Sequence, residues 1–135
     1  MDKNEKAVYL TFDDGPIPEV TPWVLDVLDK YGVKATFFMV GENARKYPEI
    51  FQMVKDRGHR IGNHTFNHWG GVRHSSERFI ANVDKANVIL QTDLFRPPHG
   101  WMLHNHYVLV KRRGYRVVMW DLVTRDYSTR LNGRD

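Results

Sequence analysis

The chain contains no cysteine. Disulfides and thiolate zinc sites are therefore excluded, and any metal must be held by His, Asp or Glu. No apolar run reaches the roughly 20 residues that a membrane-spanning helix needs, and the opening Met1-Asp2-Lys3-Asn4-Glu5-Lys6 is polar and mixed in charge, unlike a signal peptide or an anchor. Internal repeats and low-complexity linkers are missing as well. Charge of one sign is modest: 20 Lys and Arg stand against 16 Asp and Glu, a net +4. The basic residues are scattered, with Lys111-Arg112-Arg113 the densest cluster. No basic stripe interleaved with aromatics is present, as a nucleic-acid groove would need, so the charge reads as a solvated surface and no nucleic-acid partner is expected.

What is present suits one domain. The 135 residues are 41% hydrophobic and 13% aromatic, ample for a core and too apolar for a disordered chain. Val8-Tyr9-Leu10-Thr11-Phe12 is a run of the kind that fills a strand buried on both faces; it leads into Asp13 and Asp14 and is ended by Gly15-Pro16. Thr21 as N-cap and Pro22 at the first helical position open a helix with Val24, Val27, Leu28 and Tyr31 at helical spacing, stopped by Gly32. Ala35 to Val40 reads as a second strand closed by Gly41, and Pro48 begins a helix with Ile50, Phe51 and Val54 on one face. A short strand then carries Arg60-Ile61-Gly62-Asn63 into His64. Ser75-Ser76-Glu77 opens a long helix to about Gln91, Leu94-Phe95-Arg96 is a fourth strand cut off by Pro97-Pro98, a helix runs from about Asn105 to Arg113, and Tyr115 to Trp120 is a fifth strand. Regular β, α alternation with buried strands implies an α/β fold with parallel strands and right-handed crossovers.

Chemically capable residues collect after the strands. Asp13-Asp14 end the first, and one carboxylate there can ligate a metal while the other serves as a base. Asn63-His64-Thr65-Phe66-Asn67-His68 follows the third, and its two imidazoles four residues apart can share one face and meet one ion. Arg96-Pro97-Pro98-His99-Gly100 follows the fourth, and Trp120-Asp121 the fifth, with Arg125-Asp126-Tyr127 just beyond. Taken singly, each has a plainer reading: a polar turn, a chance pair among seven histidines, a rigid loop, a core aromatic. Together they gather on the C-terminal rim, where α/β barrels and open sheets place their sites.

In their order and spacing, Thr11-Phe12-Asp13-Asp14-Gly15-Pro16, His64-Thr65-Phe66-Asn67-His68 and Arg96-Pro97-Pro98-His99-Gly100 resemble the first three motifs of the polysaccharide deacetylase family, the NodB-homology domain of carbohydrate esterase family 4. The resemblance covers Ala7 to about Tyr127. It implies an incomplete or distorted (β/α) barrel of about five parallel strands, with residues 1–135 a single NodB-like domain, and a metal-dependent hydrolase that removes acetyl groups from N-acetylated sugars such as chitin oligomers or peptidoglycan. By that resemblance Asp14, His64 and His68 hold the metal, zinc or alternatively cobalt. Asp13 is the general base, Arg96 braces it, and His99, where the family more often has Tyr, offers its backbone N–H to the oxyanion. The partner implied is an acetylated polysaccharide or oligosaccharide, and the location a bacterial cell envelope or the extracellular space.

The sequence also departs from the family. The fourth motif, commonly Asp-x-x-Asp-Trp, is Val123-Thr124-Arg125-Asp126-Tyr127 here, which keeps Asp126 as the matching catalytic position, and the Leu-x-His motif that normally supplies the catalytic acid is absent. Three other readings remain open: a metal- or carbohydrate-binding domain without turnover, an O-acetyl (xylan-type) esterase, and a metal phosphoesterase. A complete (β/α)8 barrel takes about 250 residues, so five strands are expected to leave an edge at the first or fifth strand. Such an edge invites a homo-oligomer or the continuation of a longer polypeptide.

Overall fold

A computed structural model describes residues 10–70 and 74–119. Five strands, β1 (Leu10–Asp13), β2 (Ala35–Met39), β3 (Arg60–Asn63), β4 (Leu94–Phe95) and β5 (Arg116–Val117), form one parallel sheet in chain order. The helices α1 (Val20–Lys30), α2 (Gly41–Lys46), α3 (Pro48–Asp56), α4 (Ser76–Leu90) and α5 (His104–Arg112) make the crossovers. Among the described residues the sheet does not close into a barrel. Among the described residues β1 and β5 are its edges, because each pairs with one neighbour.

Side chains alternate across the strands, and this decides what is buried where. On β2, Ala35, Phe37 and Met39 belong to the core under the helices with Leu25, Val54 and Leu90. A second cluster, around Phe79, Val83, Phe95, Val110 and Tyr115, packs α4 and α5 on β4 and β5. Phe38 belongs to the other face of β2. Gly62 pairs with it in the β2–β3 register, and a Cβ on Gly62 would lie 2.3 Å from the Phe38 ring, so only glycine leaves room for it.

Several local expectations need correction. Thr21 is not the N-cap of α1. The helix starts at Val20, Glu19 holds the cap position without a capping side chain, and the Thr21 hydroxyl accepts the Ile17 N–H at 2.8 Å instead. Pro22 is the third helical residue, not the first, and is tolerated there because the first four N–H groups of a helix have no intrahelical acceptor. The buried face of α1 is Thr21, Leu25 and Leu28, while Tyr31 is 69% exposed. Helix α2 is unexpected, since Gly41-Glu42-Asn43-Ala44-Arg45-Lys46 has too few apolar residues to show a helical period. Its glycine has a purpose, because a Cβ on Gly41 would sit 2.8 Å from the Ala86 side chain and 2.7 Å from Phe66. By contrast, α4 begins as its sequence indicates, with the Ser75 Oγ accepting the Arg78 N–H.

The ladders continue one residue past several strands, and this builds the rim. Asp14 N–H donates to the Phe38 carbonyl at 3.0 Å, His64 N–H to Met39 at 3.0 Å, Arg96 N–H to Asn63 at 2.9 Å and Val118 N–H to Phe95 at 2.8 Å. The residues that follow β1, β3 and β4 are thus registered by backbone bonds at one end of the sheet.

Candidate metal and hydrolytic site

Asp14, His64 and His68 converge, each offering a ligand atom within 4.8 Å of the others. Asp14 Oδ1 lies 3.3 Å from His64 Nε2 and 3.1 Å from His68 Nε2. The backbone is forced to achieve this. Among the described residues six non-glycines have positive φ, and four of them are here: Asp14 (79°), Thr65 (66°), His68 (59°) and His99 (68°). Such conformations cost of order 1–3 kcal/mol each and persist only where surrounding contacts impose them. For Asp14 the contact is Asn43, whose Nδ2 donates to the Asp14 carbonyl at 2.9 Å.

His64 is 1% exposed. Its Nδ1 lies 2.7 Å from the Arg96 carbonyl oxygen, which can only accept, so Nδ1 carries the proton. Burial pushes the imidazole below its ordinary pKa, opposed mainly by that same hydrogen bond. A neutral ring protonated at Nδ1 presents a bare Nε2 lone pair to the Asp14 carboxylate. Two electron-rich atoms 3.3 Å apart call for a cation between them, and the carbonyl partner behind the ring is the usual arrangement that orients a metal-binding imidazole. The donor set of one carboxylate and two imidazoles, with no thiolate, fits a divalent ion such as zinc.

Beside this triad, Arg96 reaches across the sheet to β1. Its Nη1 donates to Asp13 Oδ1 and to Thr11 Oγ1, both at 2.9 Å, and its Nε donates to the Val118 carbonyl at 3.2 Å. The guanidinium lies over the Phe38 ring, 4.4 Å from the centroid, and that ring fills the space left by the missing Gly62 side chain. Arg96 is 2% exposed, and Asp13 retains 17% side-chain exposure. Asp13 is therefore held by a buried cation and still faces solvent. His99 occupies a 3-10 turn (Pro98–Gly100), and its ring centroid is 5.2 Å from that of His68.

Asp13, Asp14, His64, His68, Arg96 and His99 thus come together at one end of the sheet. Asp126, like Trp120, Asp121, Arg125 and Tyr127, lies outside the described residues. Sequence reasoning missed Asn43 and Asn82, and it took Thr11 and Asn63 into its motifs without giving either a role. Thr11 had a signal, because it shares a strand face with Asp13 two residues on. Asn63, 0% exposed, takes the Thr65 N–H on its Oδ1 at 2.8 Å and donates to the Val83 carbonyl at 2.9 Å. An open apolar groove of about 350 Å³ lined by Trp101, Met102, His104, Tyr107, Val117 and Met119 shares none of these residues.

The chain is similar to known proteins in sequence and in fold. Over 131 residues the chain is 38% identical to a peptidoglycan-N-acetylglucosamine deacetylase of Bacillus cereus, covering 93% of the chain and 48% of that protein. It is 35% identical to a chitooligosaccharide deacetylase of Azorhizobium caulinodans, covering 93% of the chain and 63% of that protein. A crystal structure of the Bc1960 peptidoglycan N-acetylglucosamine deacetylase superposes with a TM-score of 0.83 at 37% identity, over 87% of this chain and 57% of that one. The chain thus spans about half to two thirds of the length of these relatives. Its match to the polysaccharide deacetylase family runs through residues 1–118, taking in the Asp-Asp, His-x-x-x-His and Arg-Pro-Pro segments whose side chains meet on the rim, and the chain belongs to that family.

Proposed function

We propose that this chain carries the metal-binding and base-bearing part of a hydrolase that removes acetyl groups from N-acetylated sugars of peptidoglycan or chitin type. The observation that carries the reading is the pairing of two different carboxylates on adjacent residues: Asp14 turned toward two imidazoles, Asp13 turned toward a guanidinium. Neighbouring residues that diverge in this way give one ligand and one base. A divalent cation held by Asp14, His64 and His68 would supply Lewis-acid polarisation of the acetyl carbonyl and lower the pKa of water.

The chain's own residues do the rest. Asp13 accepts the proton of the attacking water, and Arg96 with Thr11 fixes the carboxylate where that water must lie. Oxygen from the water bonds to the acetyl carbon, the carbon–nitrogen bond breaks, and acetate and a free amine leave. The His99 backbone N–H is assigned to the charge that develops on the carbonyl oxygen, a contribution that acts without reorganisation when the donor is fixed beforehand. The amine departs protonated. His99, whose ring centroid lies 5.2 Å from that of His68, is the imidazole of the described site to which that proton is assigned.

Acetate release from N-acetylglucosamine oligomers with added zinc tests this function, with Asp13→Asn as the paired variant. Release by the wild type, at least about a hundredfold slower in Asp13→Asn, supports it. Sugar binding without acetate would instead favour a binding domain. Acetate from acetylated xylan alone would favour an O-acetyl esterase, and phosphate release from phosphoesters would favour a phosphoesterase.

A further inference from the structure

We infer that Asn82, on α4, is a positioning residue for the metal site, its amide holding the loop from Thr65 to His68 in the conformation that aims His68 at Asp14. The inference rests on the metal-site reading above. Asn82 is 6% exposed. Its Oδ1 accepts two successive backbone N–H groups, Phe66 at 2.9 Å and Asn67 at 3.0 Å, and its Nδ2 donates to Asn67 Oδ1 at 2.9 Å. Asn67 passes the restraint on, its Nδ2 donating to Glu42 Oε1 at 3.1 Å. The loop is thus tied to α4 through Asn82 and to α2 both through Asn67 and by the Gly41 and Glu42 N–H groups, which donate to the Thr65 and Phe66 carbonyls at 3.0 and 2.9 Å.

The residues on either side of this clamp, Thr65 and His68, are both left-handed without being glycine, so local sequence alone does not favour the loop's shape. The two histidines also depend on it unequally. His64 is fixed by its own bonds, from N–H to the Met39 carbonyl and from Nδ1 to the Arg96 carbonyl. His68 is different: its side chain is 36% exposed, and the described contacts of its ring are with Asp14, His64 and His99, all within the site. Its aim is therefore set by the backbone that carries it. Asn82 supplies the two-N–H acceptor in the middle of that backbone, while Asn63 and the Thr65 hydroxyl, which takes the Trp69 N–H at 2.9 Å, secure its two ends.

The test is cobalt and zinc binding by calorimetry, with the visible spectrum of the cobalt form, on the wild type, Asn82→Ala, Asn82→Asp and a Val54→Ala control in the core under α3. Loss of a residue that orients a ligand typically costs ten- to a hundredfold in metal affinity, and a loss of about that size with an altered cobalt spectrum is expected for Asn82→Ala. Asn82→Asp, which still accepts both N–H groups but loses the Nδ2 donor to Asn67 Oδ1, should bind between the wild type and Asn82→Ala. Val54→Ala should melt lower while keeping its affinity and spectrum. Should Asn82→Ala fail to fold, Asn82→Ser, with one hydroxyl for two N–H groups, is measured in its place. Wild-type affinity and spectrum in Asn82→Ala would overturn the inference, as would an equal loss in Val54→Ala or no recovery in Asn82→Asp. No metal binding by the wild type would overturn the metal site itself and this inference with it.

Discussion

Arg96 Nη1 lies 2.9 Å from Asp13 Oδ1 across the inner face of the sheet, joining residues 83 positions apart in the chain. Arg96 is buried at 3% side-chain exposure while Asp13 keeps 17%, so the guanidinium depends on the carboxylate for its charge partner. Removing one member of a buried pair leaves the other uncompensated and costs roughly 3–5 kcal/mol, at the lower end where one partner keeps some contact with solvent. Arg96→Met should therefore melt well below the wild type and lose hydrolysis, while metal content, set by Asp14 and the imidazoles, stays near one ion per chain. Thermal unfolding and metal analysis of the same preparation check this. A variant that loses metal as readily as hydrolysis would show that Arg96 serves the ligands through its carbonyl on His64 more than the base.

Gly62→Ala tests the route Arg96 takes. A methyl group there would meet the Phe38 ring at 2.3 Å, and that ring is the surface on which the guanidinium rests. Overpacking of this kind costs about 1–3 kcal/mol, and the displaced ring should disturb Arg96 as well. The expected outcome is a lower melting temperature together with slower hydrolysis at unchanged zinc affinity. An unaffected rate in a fully folded variant would separate the Phe38 ring from the bracing of Asp13.

Stability should fall on acidification. Burial lowers the pKa of His64, and burial with the nearby Lys34 lowers that of His59. His59 Nδ1 also accepts the Ala35 N–H at 3.1 Å, a bond that only an unprotonated nitrogen can make. Both rings thus bind protons more weakly folded than unfolded, so unfolding takes up protons. The metal-free chain should keep its full stability above the ordinary imidazole pKa of about 6.5 and lose it as the pH drops from there through the lower folded values. Urea melts between neutral and mildly acidic pH measure this, and His59→Gln should flatten part of the slope. A stability that rises on acidification would contradict the assignment of both rings as neutral.

Much of the architecture was legible because buried parallel strands leave continuous apolar runs. Ala35 to Met39 is such a run, whereas Arg60 to Asn63 stands in its expected place without one, and Leu10 to Asp13 is an edge strand, exposed or half-buried along its length and not buried on both faces as its sequence suggests. Clustering on the rim was legible for the same reason, since residues directly after parallel strands must share one end of the sheet. What could not be read was the polar scaffolding. Asn43, Asn63 and Asn82 act through bonds to backbone groups far away in the chain, and an asparagine destined for such a bond looks like any other. Helix α2 was missed because it is held by the close approach of Gly41 to Ala86, which leaves no apolar period. Thr21 was misassigned because a good cap residue can also close the turn before a helix.

Whether Asp14, His64 and His68 form one divalent metal site is read by zinc titration of the metal-free chain in a calorimeter. One zinc per chain is expected for the wild type and for Asp13→Asn, with a loss of stoichiometric binding in His64→Ala and in His68→Ala, each of which removes one of three ligands. Undiminished zinc binding in a folded His64→Ala, His68→Ala double variant would contradict that site.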